Sequence, residues 1–367
     1  MIQITDKDEC CGCGACAQRC PKQCITLRED KMGFSYPAVD NDTCINCGLC
    51  EKVCPILNHD ESREPLATYA AMNCDEQIRM VSSSGGVFTA IAKHIIGQGG
   101  IVFGARFNDK WEVVHDYADT TEGLSKFRGS KYIQSLIGDN YSKAESFLKQ
   151  GKPVLFTGTP CQIAGLRNYL RKEYENLITA DVACHGAPSP IVWKSYIEDI
   201  DIKEINFRNK SHGWRNFSMA INHTVRPHNK DRFMQCFLSN LSLRPSCYAC
   251  KFKAGASGSD LTLGDLWGIS EIAPQLDDDL GTSVVISFSA KGDKILKSLS
   301  LKTININYTD VCSHNPAIVR SVKCPKDYEP FWQDFYISGK KAIMKWGKKQ
   351  SPSAIIRLKT LIYRIIH

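Results

Sequence analysis

Cys10-Cys11-Gly12-Cys13-Gly14-Ala15-Cys16-Ala17-Gln18-Arg19-Cys20-Pro21 and Cys44-Ile45-Asn46-Cys47-Gly48-Leu49-Cys50-Glu51-Lys52-Val53-Cys54-Pro55 are two copies of one pattern. Each reads C-x2-C-x2-C-x3-C-P, and Gly14 and Pro21 recur as Gly48 and Pro55. Three closely spaced thiolates can wrap three corners of a 4Fe-4S cubane. The fourth, ahead of a chain-breaking proline, is directed to the other cluster. This spacing assigns Cys10, Cys13, Cys16 and Cys54 to one cluster, and Cys44, Cys47, Cys50 and Cys20 to a second. Zinc knuckles use two CxxC pairs instead, so zinc is the poorer reading. Two clusters so close together move electrons one at a time.

The pattern is the ligand run of bacterial two-cluster ferredoxins. Between its halves, Ile25 to Leu27 and Phe34 to Val39, separated by Asp30 and Gly33, read as a β-hairpin. Cys11 and Cys24 fall off the repeat and are expected to be free thiols. Such a module ends near residue 58, and polar residues 59–66 read as a linker. About 300 residues follow, too many for a passive carrier.

The whole chain has 367 residues, 43% hydrophobic and 23% charged, which excludes a disordered or collagen-like protein. No run of 18 apolar residues spans a bilayer, and the N-terminus lacks the basic-then-apolar order of an export signal. With no such signal, the 18 cysteines point to metal ligation rather than disulfides, and the expected location is cytoplasmic. The net charge of +7 comes from the end of the chain, where residues 339–367 hold eight Lys/Arg and no acid. Without them the rest carries −1, so the composition gives no sign of a nucleic-acid partner.

Strand and helix alternate beyond the linker. Ala67 to Ala71 and Ile101 to Ala105 read as strands, with a helix over Val87 to Ile96 between them. Val154 to Phe156 is a strand leading through Gly158-Thr159-Pro160-Cys161 into a helix from Gln162 to Leu170. Leu177 to Val182 is a strand ending in Cys184-His185-Gly186, with a helix over Ile191 to Ile200. Adjacent parallel strands would bring Cys161 and Cys184 to one carboxyl edge, where open α/β sheets build ligand sites. Cys247-Tyr248-Ala249-Cys250, on a polar loop, would complete a four-thiolate set. By spacing alone that set is a third iron–sulfur cluster, a zinc site, a redox dithiol or unrelated thiols. Cys74, Cys236, Cys312 and Cys324 have no partner by spacing and are expected to be buried or inert. Ser82 to Gly86 before a helix is a candidate anion cradle. Arg128-Gly129-Ser130-Lys131-Tyr132 offers cations, a turn glycine and a ring that suit a pyrophosphate or a stacked ring system. His185 and His212 read as structural. No G-x-G-x-x-G follows a strand, which leaves a Rossmann site unsupported.

Seven motifs then occur in order: Ser83-Ser84-Gly85-Gly86, Gly129-Ser130-Lys131-Tyr132, Gly158-Thr159-Pro160-Cys161-Gln162, Cys184-His185-Gly186, Phe207-Arg208, Cys247-x-x-Cys250, and Leu261-Thr262-Leu263-Gly264-Asp265-Leu266-Trp267-Gly268. Over residues 1–287 the chain resembles the coenzyme F420 hydrogenase/dehydrogenase beta subunit family, preceded by a two-cluster ferredoxin module. The resemblance implies an α+β protein, the ferredoxin module leading an α/β body with a mixed sheet. It implies bound FAD and a third 4Fe-4S cluster at Cys161, Cys184, Cys247 and Cys250. It also implies an iron–sulfur flavin-dependent oxidoreductase acting on a small molecule, with coenzyme F420 one such substrate. Bacterial ferredoxin-fused relatives further suggest surface-polysaccharide synthesis. The alternative is a flavin-free electron-transfer subunit docked on a partner enzyme. Ser83, Ser84, Gly85, Gly86, Gly129, Ser130, Lys131, Tyr132 and Asp265 are the expected flavin or substrate contacts, and no catalytic acid or base stands out. The expected partner is a ferredoxin or another redox subunit, and an oligomer is compatible with the sequence.

The expected domains are residues 1–58, a linker at 59–66, an N-terminal family domain at 67–145, a C-terminal one at 146–335, and a tail at 336–367. In Ser353 to His367, Ile355, Leu358, Ile362 and Ile365 share one helical face beside basic residues. This suits either docking on the body or contact with an anionic membrane at its inner face.

Overall fold

A computed structural model describes residues 1–350 of the chain. The tail face at Ser353 to His367 therefore lies outside the described residues. In the ferredoxin module, strands β1 (Ile25–Glu29) and β2 (Ser35–Val39) pair antiparallel. The Asp30 carboxylate makes their turn, accepting hydrogen bonds from the amides of Met32 (2.9 Å) and Phe34 (3.0 Å). Each cysteine run enters a short helix, Ala15–Arg19 or Leu49–Lys52, through a glycine at positive φ: Gly14 at 76° and Gly48 at 71°. Only glycine takes that turn without strain, which is why it recurs in both halves of the repeat.

The body adds strands β3 (Ala67–Asn73), β4 (Ile101–Phe107), β5 (Val113–Ala118), β6 (Val154–Gly158), β7 (Leu177–Val182) and β8 (Ile205–Asn209). They are followed by β9 (Ser218–Ile221), β10 (Thr224–Pro227), β11 (Leu261–Asp265), β12 (Ser283–Ser287) and β13 (Leu301–Asn305). Eight of these form one sheet in the order β13-β3-β12-β11-β7-β6-β4-β5. Its centre, β4-β6-β7-β11, is parallel, and the outer strands run antiparallel. Central strands covered on both faces need continuous apolar runs, and Ile101 to Phe103 and Val154 to Phe156 are buried throughout. Strands β8, β9 and β10 form a separate antiparallel sheet.

The helix Val87–Gly97 buries Val87, Ile91, Ala92 and Ile95 on one face of the large sheet. The helix Pro160–Leu170 covers the other face, where Ile163 and Leu166 share a core with Ala15, Val53 and Ile56 of the ferredoxin module. Gly165 makes this contact close. A Cβ there would lie 2.8 Å from Cys13 Cβ and 3.0 Å from its sulfur.

The mixed sheet behind a two-cluster module matches the expected architecture. Strands β3 to β5, from before residue 146, share the large sheet with β6, β7, β11, β12 and β13 from after it. The helix Asn140–Lys149 runs across residues 145 and 146, and the helix Tyr328–Ser338 across 335 and 336. The expected linker is pinned: Arg63 donates to the carbonyls of Gly255 (3.0 Å) and Ser259 (2.7 Å). The basic helix Lys340–Lys349 docks on the body through buried Ala342, Ile343, Trp346 and Gly347. Its lysines pair with Asp199, Asp334 and Asp327. Among the described residues, no helix is long and apolar enough to cross a membrane.

Candidate functional site

The two cysteine runs form two cavities. One is lined by Cys10, Cys13, Cys16 and Cys54 with Ile2, Ile4 and Ile56. The other is lined by Cys20, Cys44, Cys47 and Cys50 with Ile25, Val39 and Ile45. Each gathers three cysteines of one run and the last of the other, the crossed arrangement read from the spacing. Burial, then the neighbouring Cys10 and Cys54, push the Cys16 thiol up to about 12. Iron binding at such a site must displace the proton. The off-repeat cysteines border the same cavities: Cys24 sulfur lies 3.3 Å from that of Cys20, and Cys11 interacts with both Cys13 and Cys161. Neither contact is visible in the spacing.

A third set sits at the carboxyl edge of the parallel strands. β6 ends at Gly158, and Thr159 and Gln162 then form a reciprocal cap that starts the next helix with Cys161 in its first turn. Cys184 lies just past β7, and Cys247 and Cys250 lie on and just after the turn Pro245–Ala249. The amide of Ala187 donates to Cys247 sulfur at 3.3 Å, drawing the second and third segments together. All four side chains are half-buried; burial first, and then other members of the set, raise the thiol pKa of Cys184, Cys247 and Cys250, whereas that of Cys161 is raised by Cys11 and burial. For Cys184, burial and then Cys161 and Cys250 bring it to about 12 against the opposing charge of Lys253. Among the described residues, no three Cys, His, Asp or Glu side chains are drawn together tightly enough for a single ion. The soft four-sulfur donor set fits a cubane. Of the four cysteines expected to be buried or inert, Cys236 is buried and Cys312 half-buried, while Cys74 and Cys324 are exposed in segments between elements.

The remaining motifs converge beside this edge. Ser83 Oγ accepts hydrogen bonds from Ser130 N (2.7 Å) and Ser130 Oγ (2.9 Å), joining the two loops expected to share a ligand. Arg208, which is almost fully buried, donates twice to the Asp265 carboxylate (2.6 and 3.1 Å) and once to Tyr132 Oη (3.2 Å). Burial alone would lower the Arg208 pKa, but the Asp265 charge outweighs it and raises it. Trp214 Nε1 also donates to Asp265 (3.0 Å), and the Trp214 ring stacks on Trp267. Asp265 is thus committed to holding Arg208. Lys210, missed in the sequence, donates to the carbonyls of Arg79, Ser84 and Leu280, and burial lowers its pKa to about 7. Burial has the same effect on Lys131, also to about 7.

The glycines divide by role. A Cβ on Gly85 would meet Ala71 O at 2.4 Å and Ser283 N at 2.8 Å, so Gly85 serves packing on β3 and β12. Gly129, at φ +79°, faces open space. Arg128 Nε and Arg208 Nε are buried without a hydrogen-bond acceptor. Orphaned cationic donors, one of them on the residue before an open glycine, fit an anionic group such as a pyrophosphate. β11 brings this region to the third cysteine set, because Ala183 N bonds Leu263 O at 2.8 Å next to Cys184. His185 bonds Asn240 (2.6 Å) and His212 bonds Ser218 (3.0 Å), both within the protein framework.

Comparison with known proteins gives the family. The C-terminal part of the coenzyme F420 hydrogenase/dehydrogenase beta subunit matches residues 151–309, and its N-terminal part matches 68–139. A 4Fe-4S dicluster domain matches residues 9–57. No curated protein matches the sequence. A chain of the F420-reducing [NiFe] hydrogenase complex from Methanosarcina barkeri, solved as a xenon derivative, is 18% identical with a TM-score of 0.48. The similarity covers 78% of this chain and 90% of that one. With both parts of the family in order behind a dicluster domain, the chain belongs to the coenzyme F420 hydrogenase/dehydrogenase beta subunit family and is an iron–sulfur oxidoreductase subunit.

Proposed function

We propose that the protein is an iron–sulfur flavoprotein that passes electrons between three 4Fe-4S clusters and FAD to reduce or oxidise a small molecule. The ligand sets are Cys10, Cys13, Cys16 and Cys54; Cys20, Cys44, Cys47 and Cys50; and Cys161, Cys184, Cys247 and Cys250. The observation that carries the reading is the meeting, at one sheet edge, of this third set with the cation-rich junction of Ser83, Ser130, Lys131, Lys210 and Arg208. FAD would convert one-electron traffic into two-electron hydride chemistry, which clusters alone do not perform. Arg128 and Arg208 would hold its pyrophosphate with their unpaired Nε–H groups, Ser83 and Ser130 would fix the loop geometry, and Asp265 would keep Arg208 oriented. Tyr132, stacked against Phe237, would border the ring system.

Coenzyme F420 and precursors of surface polysaccharide are the substrate classes suggested by relatives, and the redox partner would be a ferredoxin or another subunit. Cys47, the exposed member of its set, marks the outer end of the path. An anaerobic inventory of iron, acid-labile sulfide and extracted flavin tests the proposal. About 12 iron and one FAD per chain support it. About 8 iron with no flavin would leave the flavin-free electron-transfer subunit instead.

A further inference from the structure

Arg244 is 1% exposed, and among the described residues it forms no ion pair. Its guanidinium donates to three neutral acceptors: Cys10 O (2.7 Å), Gln134 Oε1 (3.0 Å) and Ser35 O (3.0 Å). It lies over the Tyr36 ring at 4.3 Å and over Phe34 at 5.4 Å. Gly12 leaves room for it, since a Cβ there would be 2.7 Å from one guanidinium nitrogen. The backbone of the same residue serves the third cysteine set: Arg244 N bonds Ala187 O, and Cys247 N bonds Arg244 O, both at 2.9 Å. A buried cation is costly unless an opposite charge compensates it. The acidic groups on the segment it holds are the thiols of Cys10 and its set, and its charge also acts on the Cys161 thiol of the third set.

We infer that Arg244 is a positioning residue for the first ferredoxin cluster, clamping the Cys10 loop to the body and raising that cluster's reduction potential with its unpaired charge. The inference rests on the proposed cluster at Cys10, Cys13, Cys16 and Cys54. A one-electron donor such as a reduced ferredoxin would be oxidised by one electron and add one negative charge to a cluster held there, with no proton or leaving group moved. The added negative charge is what the guanidinium stabilises.

The test is a mediated redox titration of the full-length, anaerobically purified protein, followed by electron paramagnetic resonance, with iron counted in every sample. Arg244→Gln lowers one midpoint by at least the equivalent of a tenfold change in the oxidised-to-reduced ratio, about 59 mV for a one-electron couple. Gln134→Glu, which pairs the guanidinium with a carboxylate, lowers the same midpoint. Gln134→Met, which loses the bond to Cys11 O without adding charge, leaves it near the wild-type value. Arg244→Lys, keeping the charge, moves it less than half as far as Arg244→Gln. Full iron with unchanged midpoints in Arg244→Gln and Gln134→Glu overturns the inference. If Arg244→Gln does not fold, the two Gln134 variants decide it. Fewer than about eight iron in the wild type would overturn the cluster assignment itself.

Discussion

His115 on β5 provides a stability test that is independent of any cofactor. The ring is buried at 4% exposure, stacks on Phe156, and lies 3.0 Å from both Thr157 O and Ser135 Oγ. A neutral ring satisfies both neighbours: Nε2–H donates to the Thr157 carbonyl, and Nδ1 accepts from the serine hydroxyl. Burial, helped by the charge of Lys131, lowers its pKa from 6.5 to about 4. The unfolded chain therefore binds a proton more readily than the folded one, and stability is lost as pH falls from 6.5 through 4. The gap between these values corresponds to about 3.4 kcal/mol, of which about 1.4 kcal/mol is expressed between pH 8 and pH 5.5. His115→Gln keeps one donor and one acceptor but cannot titrate. Anaerobic urea unfolding of both proteins at the two pH values should show the wild type losing about 1.4 kcal/mol more than the variant on acidification. An identical pH dependence in the two proteins would refute the argument.

Three further outcomes follow from the geometry. Cys54→Ser combined with Cys10→Ser should lose about four iron, as either change alone does, whereas Cys54→Ser with Cys47→Ser should lose about eight; the reverse pattern would break the crossed assignment. Asp265→Ala strands the buried Arg208 charge and should cost about 3–5 kcal/mol, while the double change Arg208→Met with Asp265→Leu recovers most of the loss in thermal melting; an unaffected single variant would dismiss the pair. Gly165→Ala adds a methyl group against Cys13, costing about 1–3 kcal/mol of overpacking against a helix gain of about 1 kcal/mol, so a raised melting temperature would contradict the close packing seen there.

The parts legible in the sequence are those set by local spacing. Ligand runs, the hairpin around Asp30, and the strand-to-helix turns that carry Cys161 and Cys184 depend on residues near one another in the chain. The sheet was harder to read, because β3 pairs with β12 and β13, strands more than 200 residues away, and no local periodicity encodes such a register. For the same reason the sequence does not show where the basic helix Lys340–Lys349 docks, since Trp346 and Ile343 bury against a core assembled from distant helices. Asp265 was recognisable as special, but its partner Arg208 belongs to another motif, and only folding joins them. Arg244 and Lys210 carry no motif of their own.

The pinned segment at 59–66 and the shared core under Cys13 decide how the ferredoxin module can operate. It is no swinging arm that collects charge in one place and delivers it in another. It is a fixed terminal, soldered to the body, and on the proposed function traffic would pass through its outer face. Turnover with an external carrier should therefore respond to changes on that outer face, near Cys47, and not to the length of the segment that joins the two parts.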